Sequence, residues 1–188
     1  MPNLRPLRDY DEHNVLNGFY SWSGTIPTNK GTFVKISSGW STETELSELG
    51  DVGAHYNNVV SQRVGLPSQV AACNASGDNV IGCLLYDVRE NDENGLPLKF
   101  DAAKQARMQC TISGQSVVIL RKGTVLFSGV NGGNTPVVGV TAGAPAYLGT
   151  DGGVSTSGAL SNLANVSKVG RFLGVPNAQG WVLLDIDL

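Results

Sequence analysis

The sequence predicts a mainly β fold: a compact antiparallel β-barrel or β-sandwich with one or two short helices and an extended N-terminal arm. Three observations carry that expectation. Glycine and proline supply 24 and 8 of the 188 residues, about one in six where roughly one in eight is usual. Charged residues make up only 15%, which suits neither a disordered chain nor a bundle of Ala-, Glu-, Lys- and Leu-rich helices. The apolar residues fall in short β-branched stretches with turn signals about every 8–12 residues, as in small sandwiches and barrels. An apolar share of 41% fills one core, and two independent cores would be a tight fit.

The first 17 residues read as the arm, and residues 18–188 as a single β domain. Pro2 and Pro6 remove backbone donors and push their preceding residues toward extended geometry, so no regular element is expected before Asp9. Leu4, Leu7, Tyr10, Val15 and Leu16 are too apolar for a solvated tail, so the arm packs on something, either its own domain or a neighbour. Asp11-Glu12-His13 has the composition to open one helical turn. Thr32-Phe33-Val34-Lys35-Ile36 alternates like a half-buried strand. Between Ser37 and Gly53 the pattern is a loop holding one short helix, capped by Ser41 or Thr42, with Glu43, Glu45 and Glu48 near its positive end and Leu46 and Leu49 facing inward.

Strands are then expected at Asn58–Val64 and Gln69–Cys73, joined through Gly65-Leu66-Pro67, and at Val80–Val88 after a turn at Ser76-Gly77-Asp78-Asn79. Glu90-Asn91-Asp92-Glu93-Asn94-Gly95 is polar throughout and ends in Asn-Gly, which tolerates positive φ, so it reads as an exposed hairpin tip. Phe100–Gln109 suits a short helix capped by Asp101. Ser116–Arg121 and Thr124–Ser128 read as a strand pair turning at Lys122-Gly123. Short strands follow at Val137–Val140, Ala146–Leu148 and Val154–Thr156, with a turn at Thr150-Asp151-Gly152-Gly153. Lys168–Gly174 and Trp181–Leu188 complete the sheet around residues 176–180, the last strand pairing inside it.

No catalytic constellation is visible. His13 and His55 lack a recognisable nucleophile or positioning partner, and neither H-x-H nor H-E-x-x-H spacing is present for a metal. Cys73, Cys83 and Cys110 form an odd set without C-x-x-C spacing and read as buried free thiols. Asp185 and Asp187 share one strand face and suit protection against edge-to-edge pairing better than the paired carboxylates of a glycosidase. Gly149–Gly153 resembles a phosphate loop only in its glycines, since no Lys-Ser or Lys-Thr follows and no helix begins there. No cofactor is expected.

A net charge of −3 gives no footprint for nucleic acid, where phosphate neutralisation needs clustered Lys and Arg. No stretch approaches the ~18 apolar residues of a membrane-spanning helix, and the start lacks an apolar leader. The expectation is a soluble chain with neither nucleic acid nor membrane as partner. Trp22, Trp40 and Trp181 leave a carbohydrate-binding β module open; Trp181, at the head of the last strand, is read as core.

From Val80 onward the sequence resembles the head decoration, or cement, proteins of tailed bacteriophages, cyanophage type. The residues that carry this are Ile81-Gly82-Cys83-Leu84-Leu85-Tyr86-Asp87-Val88-Arg89-Glu90 with Asp92-Glu93-Asn94-Gly95, and Ile112-Ser113-Gly114-Gln115 with Arg121-Lys122-Gly123. They continue in Ala144-Pro145-Ala146-Tyr147, Asp151-Gly152-Gly153-Val154-Ser155-Thr156, Lys168-Val169-Gly170-Arg171-Phe172-Leu173-Gly174 and Gly180-Trp181-Val182-Leu183. The stretch Arg5–Val15 also resembles the N-terminal part of such proteins. The resemblance implies a non-enzymatic virion protein, made in the host cytoplasm, that binds the outer capsid surface between subunits of the major capsid protein and stabilises the head. On that expectation the arm contacts the capsid through Leu4, Arg5, Pro6, Leu7, Arg8, Tyr10, Val15 and Leu16. A homo-oligomer, for instance a trimer, and a host surface glycan are further partners left open, as is a place in the tail, neck or fibre.

Overall fold

The computed structural model describes residues 2–7, 9–11, 13–21, 28–38, 68–74, 77–112, 115–130, 139–149, 152–156 and 167–188. The fold is mainly β. Its strands are β1 (Asn3–Pro6), β2 (Val15–Ser21), β3 (Phe33–Ser38), β4 (Ser68–Ala72), β5 (Val80–Leu84), β6 (Asp87–Arg89), β7 (Cys110–Ile112), β8 (Ser116–Leu120), β9 (Lys122–Ser128), β10 (Pro145–Leu148), β11 (Val154–Ser155), β12 (Lys168–Phe172) and β13 (Val182–Asp187). Among the described residues a 3-10 turn at Leu98–Phe100 leads into one short α-helix, α1 (Ala102–Met108).

The strands form two main layers. Five pair in a closed ring in the order β2-β4-β3-β5-β8, and six form a sheet in the order β1-β9-β13-β12-β10-β11. Alternation builds the sheet: β9 buries Gly123, Val125 and Phe127 and turns Thr124 and Leu126 to its other side, while β13 buries Val182, Leu184 and Ile186. One apolar cluster joins the layers. Phe33, Cys83 and Leu120 of the ring pack with Leu4, Val125, Phe127, Leu148, Phe172 and Leu184 of the sheet, and the rings of Phe33 and Phe127 lie 6.1 Å apart. A second cluster, with Val34, Val70, Leu84, Val117 and Ile119, fills the ring.

Among the described strand pairs antiparallel pairing dominates, with two exceptions. β2 runs parallel to β4, and β6 runs parallel to β7. The arm is extended, as its prolines require, yet a regular element does precede Asp9: Asn3–Pro6 pairs antiparallel with Val125–Ser128. Pro6 costs this ladder little because it ends an edge strand, where one missing donor is tolerated.

The expected strand at Val80–Val88 is divided at Leu85-Tyr86 into β5, which stays in the ring, and β6, which leaves it for β7. Ser116–Arg121 and Thr124–Ser128 are strands but not a hairpin. β8 pairs with β2 and β5, and β9 with β1 and β13, so Arg121 marks the passage between layers. There the Arg121 N–H donates to the Asn14 carbonyl at 2.8 Å.

Asp185 and Asp187 do not guard an edge, because β13 lies between β9 and β12. Asp185 accepts from the Thr124 hydroxyl at 3.2 Å, and Asp187 lies 3.2 Å from the Lys122 ammonium. The glycines at 149–153 close a hairpin, with the Gly149 N–H on the Gly153 carbonyl at 2.9 Å. Val140 is buried but not in a strand. The helix expected within 37–53, the strand at 58–64 and most of that at 137–140 lie outside the described residues.

Candidate functional site

The N-terminal segment lies on its own domain. Leu4 is fully buried between the layers. Arg5 stands over the Trp181 ring, 4.5 Å from its centroid. Pro6 pairs with Val125 at the strand end, and Val15 and Leu16 open β2 opposite Leu120 and Ile119. Tyr10 donates its hydroxyl to the Thr124 carbonyl. Among the described residues of this segment only Leu7, half exposed at 50%, offers a large apolar surface outward. Arg8 lies outside the described residues.

Three of these residues, Pro6, Tyr10 and Val15, meet at a cleft of about 320 Å³ together with Asp9, Asp11, Asn17, Leu85, Tyr86 and Val118. The cleft exists because the division of β5 from β6 places Tyr86 on a turn, 43% exposed, facing the returning N-terminal segment. One oxygen of Asp11 accepts from the His13 and Asn14 N–H groups, fixing the turn into β2. Carboxylate and amide oxygens beside tyrosine rings can hold a polyhydroxylated ligand, with hydroxyls on the acceptors and C–H faces on the rings. The sequence reading singled out Tyr10 and Val15 but not Asp9, Asn17 or Tyr86. The signal for Tyr86 was an aromatic residue just before Asp87 in an otherwise apolar run.

A second feature is the excursion from β6 through α1 to β7. Asp92 closes its tip by accepting from the Asn94 and Leu96 N–H groups, both at 2.8 Å, and the Asp92 N–H returns to the Leu96 carbonyl at 2.9 Å. Gly95, at φ 82°, supplies the left-handed position this turn requires. Asp101 caps α1 by accepting from the Lys104 N–H at 2.9 Å. The Lys104 ammonium then reaches back to Glu93 at 2.5 Å and Asp92 at 3.8 Å. The Leu96 N–H, then the Asn94 N–H and Lys104, hold the Asp92 carboxyl below its ordinary range. Its hydrogen bond from Lys104 does the same for Glu93, and Glu93 in return raises Lys104.

Among the described residues no three His, Cys, Asp or Glu side chains converge as a metal would need, and no described helix is long and apolar enough to cross a membrane. His13 is exposed in the turn before β2. Cys73, Cys83 and Cys110 are free and buried. Trp181 is half-buried beneath Arg5 rather than in the core; His55, Trp22 and Trp40 lie outside the described residues. No protein-family model matches the chain, and a search of curated proteins returns no match.

Proposed function

We propose that this protein is a non-enzymatic capsid decoration protein of a tailed bacteriophage, binding the outer surface of the major capsid protein lattice and stabilising the head. The observation that carries the reading is where the decoration-protein-like segments fall. Residues 81–90 run from β5 through the turn into β6, residues 168–174 hold β12, and residues 180–183 lead into β13. The likeness therefore lies in the framework rather than in loops alone. Repetition on a symmetric lattice suits such a module, because weak single contacts gain through multivalency if it binds as an oligomer.

The test is to mix the purified protein with heads that lack it and to locate added density by electron microscopy. Regular occupancy of the outer shell, with heads that survive a higher temperature, is the expected result. Density only on tail or neck would move the protein elsewhere on the virion, and no binding to particles would overturn the reading.

A second reading rests on the cleft: a glycan-binding function using Tyr86, Asp9 and Asn17. Titration with neutral oligosaccharides should perturb tyrosine fluorescence in the wild type and not in Tyr86→Ala. A flat response at millimolar sugar removes it.

A further inference from the structure

Two strands break their regular course where the cleft opens. The pairing of β2 with β8 slips by one residue between Leu16 and Phe19, so Asn17 and Gly18 form a bulge. Bulges of this kind re-aim side chains beside binding sites, and Asn17 lines the cleft from this one. Tyr86 lines it from the turn that divides β5 from β6. Backbone bonds hold the walls in place: the Leu85 N–H donates to the Val118 carbonyl at 3.1 Å, and the Arg121 N–H to the Asn14 carbonyl at 2.8 Å. One oxygen of Asp11 accepts from the His13 and Asn14 N–H groups. A cleft held in this way is preformed, so a ligand entering it loses little to ordering the protein.

Charge says what would fill it. Asp78, Asp87, Asp92, Glu93 and Asp187 each lie 3.8 Å or less from a Lys or Arg nitrogen. Asp9 and Asp11 line the cleft without such a partner among the described residues, and no described Lys or Arg lines it with them. The second oxygen of Asp11 is bonded to no described residue. Neutral hydroxyls would satisfy these acceptors and leave their charge uncompensated. A cation does both, since charge-assisted hydrogen bonds are about twice as strong as neutral ones, and it is drawn as well to the face of a tyrosine ring. The apolar Val15, Leu85 and Val118 complete the lining and suit a short hydrocarbon stem. We infer that the cleft is a binding site for an organic cation, a guanidinium on a short apolar stem, held by Asp9, Asp11 and Asn17 and stacked on Tyr86. A planar guanidinium fits better than an ammonium because it can donate to two carboxylates while its flat face meets the ring. At about 320 Å³ the cleft is near the lower end of ligand sites, about 300 Å³, which suits one side chain or a small molecule. The inference does not rest on the capsid reading, and it names a different occupant from the neutral glycan.

The experiment titrates the wild type with propylguanidinium and with its neutral isostere propylurea, read by amide chemical shifts in nuclear magnetic resonance. Saturable shifts at Asp9, Asp11, Asn17 and Tyr86 are expected with propylguanidinium, at a dissociation constant of about 1–10 mM for so small a ligand, and none with propylurea. Added sodium chloride should weaken the binding by screening the carboxylates. Asp9→Asn and Tyr86→Ala, both at exposed positions, should keep the thermal midpoint and each bind at least about threefold more weakly. Asp11 stays unchanged because it holds the turn into β2. No shift in the wild type, equal shifts with propylurea, or unchanged affinity in both variants would overturn the inference. Were either variant to unfold, the isostere and salt comparisons on the wild type decide alone. Saturable binding of a neutral oligosaccharide at these residues with no response to propylguanidinium would overturn the inference and leave the glycan reading standing. Acetylated, amidated arginine set against free arginine identifies the source: tighter binding of the capped form supports a partner's side chain, and tighter binding of the free form supports a small molecule.

Discussion

The Tyr10 hydroxyl donates to the Thr124 carbonyl oxygen at 2.7 Å, joining residues 114 positions apart. Its ring lies over Gly123, whose φ is 146° and where an added Cβ would stand 2.6 Å from Tyr10 Cε1. The pair pins the N-terminal segment at the place where the chain passes from the ring to the sheet. Tyr10→Phe should lower stability by about 1 kcal/mol, the usual net worth of one hydrogen bond. Gly123→Ala adds backbone strain to a steric push on a tethered ring and should cost about 1–3 kcal/mol. Urea unfolding of the two variants checks both values.

Leu4 has no exposed surface, although it sits four residues from the start. Leu4→Ala should cost about 2–5 kcal/mol, as for other buried leucines. Removal of residues 1–17 should abolish cooperative unfolding rather than release a dispensable arm, since it also takes the first part of β2. Near-ultraviolet circular dichroism of the truncated chain decides this.

At Gly170 a Cβ would collide with the Asp185 carbonyl oxygen of the neighbouring strand. Both partners are backbone in an interior ladder, so neither can swing away, and Gly170→Ala should prevent folding or lower the thermal midpoint by well over ten degrees. Four residues on, Gly174 has open space around it, and Gly174→Ala should change stability by about 0.5 kcal/mol or less. Thermal melts of the two substitutions provide the contrast.

The Asp92 carboxyl is held below its ordinary range chiefly by the Leu96 N–H. A carboxyl lowered in the folded state contributes fully above its unfolded value of about 3.9 and loses that contribution as pH falls through the lower folded value. Protection of the Leu96 amide against hydrogen exchange should therefore hold at neutral pH and collapse below about pH 4. In Asp92→Asn it should be weaker at neutral pH and nearly flat through the same range.

Burial, with Asp78 adding to it, pushes the Cys73 thiol up to about 12. Burial also raises Cys83 and Cys110. Few thiolates form at pH 8, and the thiolate is the nucleophile. Iodoacetamide at that pH should leave Cys73 and Cys83 unmodified in the folded protein over hours. In denaturant all three cysteines should react, counted by mass spectrometry.

Local chemistry made much of this fold legible. Asp101 as a helix cap, the Asn94-Gly95 turn and the strands at Phe33–Ser38 and Val182–Asp187 each depend on neighbours in sequence, and each stands where the residues point, although Phe33–Ile36 does not alternate: Phe33 and Val34 are both buried and Ile36 is exposed. Partnership was not legible. Lys122-Gly123 looks like a hairpin turn, yet β8 and β9 pair in different layers, and the Arg121 N–H between them donates to Asn14, more than a hundred residues earlier. Leu4 gave the same difficulty: two prolines argued for an extended arm with no regular element before Asp9, and the segment is extended, but the ladder it forms with β9 depends on residues beyond position 120. The cleft was hidden for that reason too, since Asp9 and Tyr86 meet only once both layers have formed.

The placing of the first and last strands on either side of β9 has a mechanical consequence. Asn3 enters beside Ser128, at one end of β9, and Asp187 leaves beside Lys122, at the other. Tension applied between the chain ends therefore pulls β1 and β13 in opposite directions along the strand axis. Antiparallel hydrogen bonds lie perpendicular to that axis, so the pull loads the bonds of each ladder together instead of peeling them one by one. Stretched by its ends, the sheet would yield by shear, the geometry in which a β structure bears the most force before it gives way.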